Sequence, residues 1–196
     1  MPSAIPQQAA NRWAFKEWGI ICAALAAGRQ SVILRKGGIH EGTEGFQVQH
    51  REFWLFPTGY HQNEEELSEA GALWARSQNA PPRFPCVQHY VLIESVTRIT
   101  EVTTLARLEP LHIWSPTTIL ERFHYRTPGL FALGVRVLEL PQPIPLVDSP
   151  HFAGCRSWVD LPEDLSTAAL RPVLDDKAHR HAQDQLQIAL SGSISC

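Results

Sequence analysis

A chain of 196 residues, 44% hydrophobic and 19% charged, is long enough to bury a core as one domain without disulfide or metal staples. Its 17 basic and 20 acidic residues give a formal charge of −3. That excludes the strongly basic footprint of a dedicated nucleic-acid binder and leaves room only for a local cationic patch. The longest apolar run, Ile20 to Ala27, is far too short to span a bilayer.

In chain order, residues 1–12 read as a disordered tail, residues 13–190 as a single globular domain and residues 191–196 as a loose C-terminus. Trp13, Phe15, Trp18, Ile21, Cys22 and Leu25 recur at helical spacings, which predicts a helix from Trp13 to Ala27 that ends at Gly28. A short strand, Ser31 to Leu34, stops at Arg35-Lys36 and the pair Gly37-Gly38. After a loop, Phe46 to Pro57 has apolar residues at both parities: Phe53 and Leu55 on one face, Trp54 and Phe56 on the other. A strand with two apolar faces belongs in the middle of a sheet.

Gln62 to Ser77 reads as a helix with Glu64, Glu65 and Glu66 in its first turn, where the helix dipole favours acids. Val87 to Val102 has a strand pattern and Leu105 to Pro110 a turn. Ser115-Pro116 supplies an N-cap and first helical residue for a helix to about Phe123. Leu130 to Leu140 is a strand that Pro141, Pro143 and Pro145 are expected to end. His151 to Val159 reads as irregular, and Asp175 to Leu190 as a polar helix in which His179-Arg180-His181 form a solvated face. Two strands follow one another without an intervening helix. The expected fold class is therefore α+β, a mixed or mostly antiparallel sheet with flanking helices, which can curl into a barrel.

Cys22, Cys86, Cys155 and Cys196 are scattered, with no Cys-x-x-Cys pair, so neither a zinc knuckle nor a redox motif is written. Met1 to Gln8 has none of the basic-then-apolar order of a secretory leader. The expectation is a cytoplasmic protein with free thiols.

Candidate site residues concentrate between Arg35 and Gln62. Arg35 and Lys36 end a strand ahead of Gly37 and Gly38, whose free backbone N–H groups suit an anion nest, and a guanidinium grips phosphate or carboxylate with two bonds. Alternation along a strand places His50 and Glu52 on one side and Arg51 on the other. His50 and Glu52, with His40 and His61 from flanking loops, are candidates for acid–base chemistry. Trp54 is a candidate for stacking on a base. Arg156, in the string Gly154-Cys155-Arg156-Ser157-Trp158, is a further candidate for anion binding. No His-x-x-x-His or His-x-His cluster fixes a metal geometry, and no metal or cofactor is assigned.

The strings Phe15-Lys16-Glu17-Trp18, Leu34-Arg35-Lys36-Gly37-Gly38-Ile39, Arg51-Glu52-Phe53-Trp54-Leu55-Phe56-Pro57-Thr58 and Gly154-Cys155-Arg156-Ser157-Trp158 resemble, in that order, a bacterial family of domains of unknown function. The likeness runs from about residue 13 to residue 185 and implies no activity. The stretch from Gly28 to Arg35 is also similar to the ASCH branch of the PUA-like barrels, which are associated with RNA and small-ligand binding. Gly28, Ser31 and Arg35 match that pattern, whereas Gln30 stands where it has Lys and Ile33 where it has Glu. A role for that Lys therefore does not transfer.

Three functions compete. A binding module would present Arg35, Lys36, Arg51 and Trp54 to an anionic small molecule or nucleic acid. A small hydrolase or nuclease would need His50, Glu52 and His61 to converge. A partner subunit would expose a broad apolar patch.

Overall fold

The computed structural model describes residues 6–36, 49–59, 63–78, 86–147, 149–154 and 156–192. Gly37, Gly38, His40, His61 and Cys155 lie outside them. The elements are β1 (Ala10–Trp18), α1 (Gly19–Ala26), β2 (Val32–Arg35), β3 (Glu52–Thr58), α2 (Glu69–Arg76), β4 (Cys86–Ile99), α3 (Thr103–Leu108), α4 (Pro116–His124), β5 (Leu130–Pro145), β6 (Trp158–Ser166), β7 (Arg171–Pro172) and α5 (Asp176–Ser191).

The sheet runs β2-β5-β4-β3-β1-β6, with β7 also paired to β5. Only β1 and β3 run parallel; the other neighbours are antiparallel. The fold is α+β with a mixed, mostly antiparallel sheet, as expected. β3 lies inside it, and its alternation feeds two cores. Phe53 and Leu55 join a cluster with α1, α4 and α5, while Trp54 and Phe56 join a second with Tyr90, Leu138 and Leu161.

The first predicted helix begins as a strand, from Trp13 to Trp18. Trp13, Phe15 and Glu17 alternate with Ala14 and Lys16, and pairing with β3 from Ala14↔Trp54 to Trp18↔Thr58 holds them extended before α1 begins at Gly19. Aromatic residues fit a pleated surface, and tertiary pairing outweighs helical spacing. β1 starts at Ala10, inside the stretch read as a tail. Gly28 ends the turn after α1 with φ +65; a Cβ there would meet Leu174 at 2.5 Å, so both conformation and space call for glycine.

Other boundaries shift for local reasons. The acidic Glu64–Glu66 form a 3-10 turn, and Leu67 then bridges to Trp114 before Ser68 caps α2 at the Gly71 amide, 3.1 Å away. The stretch read as a turn at Leu105 lies in α3, where Leu105 and Leu108 are buried. Ser115 caps α4 as expected, at the Thr118 amide. β5 continues to Pro145. Its prolines at alternate positions send their missing donors to one edge, and the ladder with β4 runs on to Cys86↔Pro145. The stretch read as irregular contains the start of β6. His179 is buried against Glu94, 2.8 Å away, rather than solvated.

Candidate functional site

The outer strands β2 and β6 approach each other without pairing, and Arg35 at the end of β2 spans the gap. Its guanidinium donates to Ser157 Oγ at 2.7 Å, beside β6, and lies 3.5 Å from Glu17 Oε2 of β1. It also covers the Phe15 ring at 4.6 Å. Glu17 is only 6% exposed and accepts the Trp18 amide at 2.9 Å. A buried carboxylate needs a cation and donors, and this one has both.

Arg122 of α4 extends the cluster. It sits 3.7 Å from the centre of the Trp114 ring and 3.3 Å from Glu66, with Trp18 packed edge-on to Trp114 at 4.9 Å. Burial holds the Arg122 guanidinium below its ordinary range; Glu17 and Glu66 oppose that shift and the like charge of Arg35 adds to it. Two arginines and two glutamates thus share one electrostatic neighbourhood at the seam.

Beside this cluster runs a ladder of rings. Trp13 stacks on His50 at 4.1 Å and 17°, His50 meets Trp158 at 5.0 Å, and Trp158 rests edge-on against Phe15 and Phe53. Trp13 is 37% exposed, so the top of the ladder is open to solvent. Burial lowers the His50 imidazole from its ordinary value, which keeps it neutral at pH 7.

The structure distributes the sequence-derived candidates unevenly. Arg35 is at the seam. Lys36 is spent on structure, since its ammonium donates to the carbonyls of Phe123, Thr127 and Gly129. Burial, then Arg98, lowers its pKa. Arg51 is exposed next to His50. Arg156 is exposed and donates to the His151 carbonyl at 2.9 Å.

Trp54 is not available to stack on a ligand. It is 0% exposed and donates its indole N–H to the Asn11 carbonyl at 2.9 Å. His50 and Glu52 do not come together either. β3 begins only at Glu52, so strand alternation does not extend back to His50. The Glu52 carboxylate accepts the Gln7 and Gln8 amides and the Tyr90 hydroxyl, and the Tyr90 oxygen in turn accepts from Asn11. Burial raises the Tyr90 phenol well above its ordinary value, which keeps its proton in place. Among the described residues, no three His, Cys, Asp or Glu side chains group to hold a metal ion.

Sequence reasoning missed Glu17, Arg122, Trp13 and Trp158 as site residues. The signal for Glu17 was its two-residue spacing from Phe15 and Trp13, legible only once β1 is read as a strand. Arg122 carries no local signal.

Fold and seam together define an α+β fold with an open, mostly antiparallel sheet and a mixed aromatic and ionic cluster where Arg35 reaches Ser157. The chain belongs to the family described as Domain of unknown function (DUF1802), which matches residues 14–185. No curated protein matches it. Among solved structures it is similar to ASCH from Zymomonas mobilis, at 15% identity and a TM-score of 0.47, covering 77% of this chain and 87% of that one. A serine-to-alanine variant of that protein matches at 14% identity and a TM-score of 0.43, covering 90% and 98%. No helix among the described residues is long and apolar enough to cross a membrane.

Proposed function

We propose that this domain binds single-stranded nucleic acid along the Trp13-His50-Trp158 ladder, with Arg35, Arg51 and Arg156 attracting the phosphates. The observation that carries the reading is the open indole of Trp13, stacked on a neutral imidazole and 37% exposed. Stacking on an aromatic ring contributes about 1–3 kcal/mol per base and tolerates any sequence. Arginine suits phosphate because its planar fork presents paired donors. The net charge of −3 limits the electrostatic share, so contacts to two or three phosphates are the scale to expect.

Titrating the intact chain with an oligouridine of about twelve nucleotides, followed by tryptophan fluorescence, tests this. The expected result is quenching on binding and a roughly tenfold loss of affinity between about 50 and about 200 mM salt. Trp13→Ala, at an exposed position, should weaken binding roughly tenfold or more. No quenching at the lower salt overturns the reading. Equal affinity for a free mononucleotide and the oligomer reduces the site to a pocket for one nucleotide.

A further inference from the structure

Outside the seam, a histidine and an aspartate form a pair of their own. His151 stands in the 3-10 turn Pro150–Phe152, and Asp160 lies on the edge strand β6, nine residues further on. The turn is fixed on both sides of the histidine: Ser149 Oγ accepts its backbone N–H at 3.2 Å, and Arg156 donates to its carbonyl at 2.9 Å. Lys16 donates to the carbonyls of Phe152 and Gly154 on the same turn. The imidazole Nε2 lies 2.9 Å from Asp160 Oδ1 and 3.1 Å from the Asp160 carbonyl oxygen. Its own backbone N–H holds the Asp160 carboxyl below the usual carboxylate range; burial opposes this, and His151 and Arg12 add to it. Both neighbours of Nε2 are thus acceptors, so Nε2 carries the proton and Nδ1 of the neutral ring keeps the lone pair. Among the described residues Nδ1 has no hydrogen-bond partner, on a side chain 45% exposed.

We infer that His151 is a phosphoryl-acceptor site, taking the group on Nδ1 from a donor of the phosphoramidate class, with Asp160 holding the ring. An imidazole whose other nitrogen donates to a carboxylate is the more basic for it, and a fixed ring presents a single nucleophilic nitrogen. The surrounding cations favour a phosphoryl group over a neutral acyl group. Arg156 and Lys16 are tied to the carbonyls of the turn, and Arg12 adds its charge beside Asp160 while pairing with Asp164 at 3.4 Å. In the step, the Nδ1 lone pair forms an N–P bond as the donor's own P–N bond breaks. The donor nitrogen keeps that electron pair and leaves as the neutral amine. The ring becomes a phosphoimidazolium, whose positive charge Asp160 offsets through Nε2–H. The inference does not depend on nucleic-acid binding.

The test incubates the intact chain with potassium phosphoramidate and follows phosphohistidine by phosphorus NMR and peptide mass spectrometry. His124 and His181 are exposed and have no carboxylate partner among the described residues, so they are references within the same chain. Labelling at His151 should be roughly tenfold faster than at either and should give the Nδ1 isomer, whereas an unrestrained imidazole takes the group at its less hindered Nε2. Asp160→Asn keeps a hydrogen-bond acceptor and removes the charge; it should slow His151 roughly tenfold and leave His181 unchanged. His151→Gln should remove this label alone. Labelling at His151 no faster than at His181, phosphorylation of its Nε2, or an unchanged rate in Asp160→Asn each overturns the inference. So does the absence of any label on His151.

Discussion

Two carboxylates on adjacent strands meet opposite fates, and the contrast separates scaffold from site. Glu52 of β3 faces the second core, where its partners are two backbone amides and the Tyr90 hydroxyl, with Asn11 and Trp54 closing the knot. Glu17 of β1 is equally buried, yet its partner is Arg35, itself stretched between Phe15, Ser157 and the gap at the sheet edge. In the knot, polar atoms satisfy each other beneath the N-terminal segment, and among the described residues no guanidinium or ammonium takes part. At the seam, the arginine that satisfies Glu17 stays partly exposed. Burial of a carboxylate therefore does not mark function; the reach of its partner toward solvent does.

The most forceful way to break the comparison is to empty the knot. Trp54→Ala removes a fully buried indole and its bond to Asn11 and should cost about 3–5 kcal/mol, measured by urea denaturation. A loss below about 1 kcal/mol would mean that the knot is not structural.

The next largest effect lies beside the seam, at His112. Burial, with the Arg122 charge adding to it, pushes this imidazole down to about 4 from an ordinary 6.5. The folded-state value is the lower one, so the stabilising contribution is complete above pH 6.5. It is lost as pH falls toward 4, where the folded protein also takes up the proton. The full loss is about 3 kcal/mol. Denaturation midpoints between pH 7 and pH 4.5 should fall less steeply in His112→Phe than in the parent chain. Parallel slopes would show that His112 is not the group responsible.

The smallest effects sharpen the distinction. Lys36→Met removes three bonds to carbonyls and should cost about 1–3 kcal/mol of stability while leaving oligouridine affinity unchanged. Arg51→Ala, at an exposed position, should change stability by less than about 0.5 kcal/mol and weaken the oligonucleotide complex. The reverse pattern would exchange the roles of the two cations.

Local chemistry was readable where it decides local structure. Ser115-Pro116 announced α4, and the double apolar alternation of Phe53 to Phe56 announced an interior strand. Arg35 was legible as a strand-end cation. Its partners were not, because Glu17 lies in a stretch whose aromatic spacing also fits a helix. Ser157 and Arg122 reach the seam through contacts far apart in sequence, which periodicity does not encode. Trp54 was misjudged for a related reason: the same alternation that reveals a two-faced strand does not say which face is sealed.

The long β4–β5 ladder has a thermodynamic consequence of its own. Val91 and Ile93 point into one apolar cluster while Tyr90 and Leu92 point into the other, so a single pair of strands furnishes walls to both. Neither half can melt while the other keeps an intact wall. Heating the chain should therefore produce one sigmoidal loss of structure, with circular dichroism and tryptophan emission superimposing at every temperature.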